Sequence, residues 1–226
     1  MQIDPRELNP VEAYKLLISI IVPRPIAFVS TCAQDGSTNL APFSFFNGVS
    51  SYPPIVSVAI GMKAGGEPKD TLRNIRETNE FVVNMVTENI AAAMHQASAD
   101  YPFGTSEFEQ VGLTPIPSDL VRPPRVKESP IALECQVIQM VPVTGSDTQL
   151  VLGRVLRYHI EDEIITDLTV DIENYPIVGR LGGRAYCTIG TTFTMPRADV
   201  PPEILEKAEQ QATQAVTTVS SGPAKS

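Results

Sequence analysis

The chain has 226 residues, 42% of them hydrophobic and 19% charged, enough for one large core and incompatible with wholesale disorder. A net charge of −9, from 26 acidic and 17 basic residues, excludes the broad basic surface that nonspecific nucleic-acid or acidic-membrane binding needs. The longest apolar run, Leu16 to Val22, falls well short of the roughly 20 residues of a membrane span. The start Met1-Gln2-Ile3-Asp4-Pro5 has neither a basic nor an apolar leader segment, so the sequence reads as soluble and cytoplasmic.

In chain order, Asn9-Pro10-Val11-Glu12 is a helix start, with Asn9 as N-cap, Pro10 in the first turn and Glu12 at the positive dipole end. Val11, Tyr14, Leu17, Ile18 and Ile21 then recur at helical spacing until Pro23 and Pro25 end the element. Residues 25–46 predict a β-hairpin around the Gln34-Asp35-Gly36 turn. A strand is expected over Ile55–Ile60, then a short helix from Leu72 capped by Asp70 or Thr71. Phe81–Val86 predicts a strand and Ile90–Ala97 a helix.

Residues 98–130 hold many Pro, Gly and Ser residues and predict a long surface excursion. Ile131–Val143 and Leu150–Ile160 are long for strands, which suits a curved barrel wall. Further strands are expected over Ile164–Ile172 and Ala185–Phe193. After a boundary at Ala198, residues 199–226 predict a tail, weakly helical over Pro201–Ala215 and frayed from Thr217 to Ser226. The sparse apolar residues of this tail imply that the fold does not depend on it. Many short strands with few helices argue for a mainly β barrel with peripheral helices over a doubly wound parallel sheet.

Two nucleotide motifs are excluded. Gly61-Met62-Lys63-Ala64-Gly65-Gly66 has phosphate-loop spacing, but Glu67-Pro68 stands where Lys and Ser/Thr are required, and no Gly-x-Gly-x-x-Gly is present. Cys32, Cys135 and Cys187 are odd in number and form no Cys-x-x-Cys pair, so they read as core or strand residues. With His95 and His159 alone, and read as structural or surface residues, no metal site is expected.

The most informative block is Arg24-Pro25-Ile26-Ala27-Phe28-Val29-Ser30-Thr31, then Gly36, then Asn39-Leu40-Ala41-Pro42-Phe43-Ser44-Phe45-Phe46 and Ser50-Ser51-Tyr52-Pro53-Pro54. Lys69-Asp70-Thr71-Leu72-Arg73-Asn74-Ile75, Glu80-Phe81-Val82-Val83-Asn84, Phe103-Gly104-Thr105-Ser106-Glu107-Phe108 and Gly179-Arg180-Leu181-Gly182-Gly183-Arg184-Ala185-Tyr186 follow in order. Over about residues 10–195 the chain resembles the flavin reductase-like family of FMN-binding split β-barrels (Greek-key type), which includes flavoredoxins and the reductase components of two-component monooxygenases.

The resemblance implies FMN as cofactor, NADH or NADPH as electron donor, and a homodimer with the flavin near the subunit interface. It places the isoalloxazine beside the strand Asn39, Leu40, Ala41, Pro42, Ser44, Phe45 and Phe46, and beside Ser30 and Thr31. Lys69 and Thr71, at a helix start, suit the phosphate; Arg24 is a second cationic candidate. The implied function is an NAD(P)H-dependent flavin reductase that passes electrons to a further acceptor, such as a monooxygenase or redox-protein partner. The alternatives are a flavoredoxin-type carrier reduced by a protein partner and a non-catalytic flavin-binding module. No catalytic side chain is singled out, which fits chemistry carried by a cofactor.

Overall fold

The computed structural model describes residues 1–63, 65–102 and 104–195, with Asp199 and Pro201. Met1–Gly190 form one compact unit and Thr191–Ser226 a second. Apart from Asp199 and Pro201, the predicted tail lies outside the described residues.

Helix α1 (Pro10–Ile20) begins as its sequence dictates. Asn9 Oδ1 accepts from the amides of Val11 and Glu12, and Glu12 Oε2 accepts from the Asn9 amide, a reciprocal capping box. Of its apolar stripe Ile18 alone is buried; Val11, Tyr14, Leu17 and Ile21 stay exposed.

The main sheet is antiparallel, with strand order β3-β2-β6-β9-β10-β5-β4. Its members are β2 (Ala27–Cys32), β3 (Thr38–Phe43), β4 (Phe46–Ser51), β5 (Pro54–Ile60), β6 (Glu80–Met85), β9 (Ile131–Pro142) and β10 (Gln149–Ile160). A second sheet orders β1 (Arg24–Pro25), β13 (Val178–Arg180) and β14 (Tyr186–Thr188). Short ribbons pair β7 (Pro115–Ile116) with β8 (Arg125–Val126), and β11 (Ile165–Thr166) with β12 (Thr169–Val170). Helices α2 (Asp70–Thr78), α3 (Ala91–Gln96) and α4 (Glu107–Val111) lie against the main sheet.

The β2–β3 hairpin turns where the Asp-Gly signal stands. Gly36 takes φ 92°, and Asp35 Oδ1 accepts from the amide and hydroxyl of Ser37. The hairpin closes at Ala27↔Phe43, however. Arg24–Pro25 pairs with β13 instead, and Phe46 opens β4, because two cores compete for this segment. Ala27 and Val29 face a core shared with Val58, Leu72, Ile75, Phe81 and Val151, while Phe28 faces one shared with Leu40, Met94 and Phe108. Both faces of β2 are therefore buried along its whole length.

Three other expectations are corrected. Residues 98–130 are no mere surface excursion: Phe108, Leu113, Val121 and Val126 are buried from it. Glu134, fully buried on β9, accepts from the amides of Asp119 (2.8 Å) and Leu120 (2.6 Å) and bonds His159 Nε2, which ties this segment to the sheet. Ile164–Ile172 is a tight ribbon instead of a strand, since Asp167 and Leu168 both adopt positive φ. The strand expected over Ala185–Phe193 narrows to β14.

Gly153 marks a register shift between β10 and β9. A Cβ there would lie 3.3 Å from Cys135 Cβ and run into the Phe81 ring, both fully buried. Gly153→Ala is therefore expected to cost about 1–3 kcal/mol of unfolding free energy. Gly61→Ala, where a Cβ meets nothing within 4 Å, should stay within about 0.5 kcal/mol. Urea unfolding of both variants checks the contrast.

Candidate functional site

Strand β3 forms an edge of the main sheet, so one side of its backbone has no strand partner. Hydrogen-bond direction alternates along an antiparallel strand, and the Leu40 amide bonds Glu107 Oε2 at 2.8 Å, away from β2. Leu40 and Pro42 thus turn their backbone groups outward. Pro42 has no amide to leave unpaired, which suits an open edge.

Helix α4 buttresses this edge. Thr38 Oγ1 and Ser106 Oγ lie 3.0 Å apart, and Glu107, 5% exposed, reaches the Leu40 amide. The Asn39 amide and Thr71 hydroxyl lie 2.8 Å apart, and with the amide oxygen turned to Thr71 its nitrogen reaches Glu107 Oε1 at 3.3 Å. Burial pushes the Glu107 carboxyl above its ordinary range, opposed by the Leu40 amide.

Two adjoining hollows run along the edge. One, of about 60 Å³, lies among Asn39, Ala41, Lys69, Thr71, Asp100 and Glu107. The other, of about 240 Å³, lies among Tyr14, Ser44, His95, Arg180 and Tyr186. They share Pro42, Phe43 and Ser98, and so form one groove.

At the first end, α2 starts without a side-chain cap: Lys69 holds the N-cap position and makes no capping bond. The expected Asp70 or Thr71 cap is corrected accordingly. Asp70 instead takes Lys63 Nζ at 3.0 Å, and Thr71 is buried against Asn39. Lys69 Nζ lies 3.7 Å from the exposed Asp100 carboxylate.

At the second end, Tyr186 OH lies 3.0 Å from His95 Nδ1, and the Arg180 guanidinium lies over the Tyr186 ring at 4.4 Å. His95, Tyr14, Lys63, Glu107, Arg180 and Tyr186 are groove residues that the sequence did not single out as ligands. Only the Arg180–Tyr186 and Ser106–Glu107 motif blocks hinted at some of them.

The residues expected to hold the flavin divide three ways. Asn39, Ala41, Pro42, Ser44, Lys69 and Thr71 line the groove. Arg24, Phe45 and Phe46 line a separate hollow of about 560 Å³ with Leu17 and Ile21, and Ser44 borders both. The side chains of Ser30, Thr31 and Leu40 lie in the interior. Ser30 Oγ donates to Pro124 O, Thr31 Oγ1 accepts from Asn74 Nδ2 at 3.0 Å, and Leu40 packs in a core.

The description "flavin reductase like domain" matches residues 19–177. The chain belongs to the flavin reductase-like family. An uncharacterised protein of Halalkalibacterium halodurans is 40% identical over 204 residues, covering 88% of this chain and 98% of that protein. Nitrilotriacetate monooxygenase component B from Bacillus cereus is 38% identical in structural alignment, with a TM-score of 0.83, covering 86% of this chain and 98% of that one. The 2-nitrobenzoate 2-nitroreductase NbaA from Pseudomonas fluorescens is 34% identical at a TM-score of 0.77, covering 89% and 96%. The mainly β sheet is thus that of a split-barrel flavin reductase, as the sequence resemblance implied. No helix among the described residues is long and apolar enough to cross a membrane.

Glu107 gives a pH signature with a definite sign. Its folded pKa is raised, so its protonated form favours the fold. That contribution is full below the unfolded carboxylate value of about 4.3 and is lost as pH rises through the folded value. Glu107→Gln can still accept from Leu40 without burying a charge. The unfolding free energy of Glu107→Gln minus wild type should therefore climb with pH from about 4.3 and then level. Urea unfolding across a pH series measures it, and a flat difference would contradict the raised carboxyl.

Proposed function

We propose that the protein is an FMN-binding oxidoreductase, reduced by NADH or NADPH, that hands electrons to a further acceptor. The observation that carries this reading is one groove joining the open edge of β3 to an uncapped helix N-terminus beside Lys69. A flavin needs a flat apolar bed, backbone acceptors for its polar edge and donors for its phosphate. Ala41, Pro42 and Phe43 supply the bed, and the outward Pro42 carbonyl supplies an acceptor.

Lys69 and the free amides at the start of α2 suit the phosphate, with the helix dipole adding to the attraction. Ser44 offers a hydroxyl midway. Glu107 keeps the Leu40 amide occupied, which fixes the line of the edge against which a ring would lie. Bound there, FMN would supply hydride acceptance from the dihydronicotinamide and electron delivery onward, chemistry that no side chain here provides.

A homodimer belongs to the same reading. The uncovered stripe of α1 is 75% exposed at Val11 and 58% at Tyr14, and Phe45, Val49 and Tyr52 add exposed apolar surface. Apolar surface on this scale suits a covering second copy. The likeness to a monooxygenase component and a nitroreductase supports a role in electron delivery.

The test begins with colour: the protein should purify yellow or bind added FMN in calorimetry, and failure of both refutes the assignment. Mixed anaerobically with NADH or NADPH, the flavin-loaded protein should bleach rapidly. Bleaching by a reduced protein partner alone would make it a carrier, and no bleaching by either a binding module. Lys69→Ala should weaken FMN by about 1.5 kcal/mol or more, the scale of a charge-assisted hydrogen bond, while riboflavin binds variant and wild type alike.

A further inference from the structure

We propose that Arg180, backed by Arg24 and flanked by Tyr186 and His95, forms an anion subsite at the groove end away from Lys69. It takes the carboxylate or phosphate of the molecule that exchanges electrons with the flavin. The proposal rests on the flavin reading above and adds a second, separate anion to it.

The register is the first argument. Strands β1 and β13 pair antiparallel with Arg24 directly opposite Arg180. Opposed residues in such a pair share a face, where like charges destabilise unless something compensates them. Among the described residues the compensation is by neutral acceptors and an aromatic ring, not by a carboxylate. Arg24, 5% exposed, donates to the carbonyls of Ile18 (2.7 Å), Ile21 (2.6 Å) and Leu181 (3.0 Å) and to Ser44 Oγ (3.4 Å). Arg180 Nη2 donates to Gly183 O. Among the described residues neither arginine makes an ion pair with a carboxylate.

Arg24 is buried and its donors are taken up by four acceptors, so of the two opposed arginines it is the half-buried Arg180 that keeps donors and charge for an anion. Burial lowers the Arg24 pKa and Arg180 lowers it further, against an opposing effect from Tyr14; arginine nevertheless stays charged at neutral pH.

Geometry is the second argument. The Arg180 guanidinium lies over the Tyr186 ring, 4.4 Å from its centroid, and its Nε and Nη1 make no hydrogen bond among the described residues. A planar guanidinium with free donors suits an oxyanion. The Tyr186 hydroxyl and His95 Nδ1, 3.0 Å apart, border the same hollow, and their rings meet edge to face at 81°. That hollow shares Pro42 and Phe43 with the Lys69 end, so a ligand held by Arg180 would lie alongside whatever covers β3. At the Lys69 end, by contrast, Lys63 and Lys69 face Asp70 and Asp100. The uncompensated charge is at the Arg180 end.

The experiment compares Arg180→Gln and Arg180→Lys with wild type, all loaded with FMN. The anionic donors NADH and NADPH are set against the uncharged donor 1-benzyl-1,4-dihydronicotinamide, and benzoate binding is followed by calorimetry. If the anion is a nucleotide phosphate, the ratio of kcat/KM for NADH or NADPH to that for the uncharged donor falls about tenfold or more in Arg180→Gln and partly recovers in Arg180→Lys. If it is a free carboxylate, benzoate affinity falls by a similar factor while the donor ratio holds. The absence of both changes overturns the proposal. So does a fall in FMN affinity relative to riboflavin, which would assign Arg180 to the flavin phosphate.

Should the variants not fold, ionic strength on the wild type decides. The net charge of −9 repels anionic donors, so without a local cationic site salt would raise their efficiency relative to the uncharged donor. A fall with salt supports the subsite, and a rise overturns it. Failure of the flavin reading shows separately, as absence of FMN binding by the wild type; benzoate titration of that flavin-free protein, with and without Arg180, still decides the subsite.

Discussion

The contact between Glu107 and the Leu40 amide governs the rest of the site. An edge strand ordinarily presents a row of unpaired amides, which invites pairing with another strand. Here the outward amide of Leu40 is taken by a buried carboxylate, and the next outward position is Pro42, which has none. The edge is thereby closed to strand addition while its carbonyls stay available. The same carboxylate lies beside Asn39, which touches Thr71, so one group ties α4, β3 and α2 together.

That tie has an energetic cost, expressed in the raised pKa of the carboxyl. It is tolerated because the alternative, an unsatisfied amide between two packed elements, is also unfavourable. The interior polar pairs behind β3 follow the same logic. Thr31 meets Asn74 of α2, and Asn84 Nδ2 donates to Phe28 O while its oxygen accepts from Val126 N. These bonds occupy the polar groups of β2 and leave β3 as the strand that faces outward.

Charge is distributed unevenly about the groove. Lysines near the start of α2 sit among carboxylates, whereas among the described residues Arg24 and Arg180 meet carbonyls, the Ser44 hydroxyl and a tyrosine ring. Their pairing needs both the cross-strand register of β1 with β13 and the burial supplied by the end of α1, where the Ile18 and Ile21 carbonyls hold Arg24. A sequence separation of 156 residues lies between the two arginines, so no local pattern announces the pair.

Local chemistry was legible in the sequence wherever a short-range interaction decides the outcome. The Asn9–Glu12 capping box, the Asp35-Gly36 turn and the long alternating runs of β9 and β10 each depend on residues within a few positions. The ordered motif blocks marked the family, and with it the split barrel and the Asn39–Ser44 edge. What stayed hidden depends on which surfaces meet. Ser30 and Thr31 stand in a motif block that says nothing of their burial until two cores close over both faces of β2. Glu107 stands in its motif block without an assigned role, and His95 reads as a structural or surface residue, until α4 and β14 bring Leu40 and Tyr186 to them. The sequence by itself determined most of the elements, the family and one end of the groove; only tertiary packing decided which polar groups are consumed inside and which remain free to bind, because burial and long-range register are properties of the folded barrel and of no single segment.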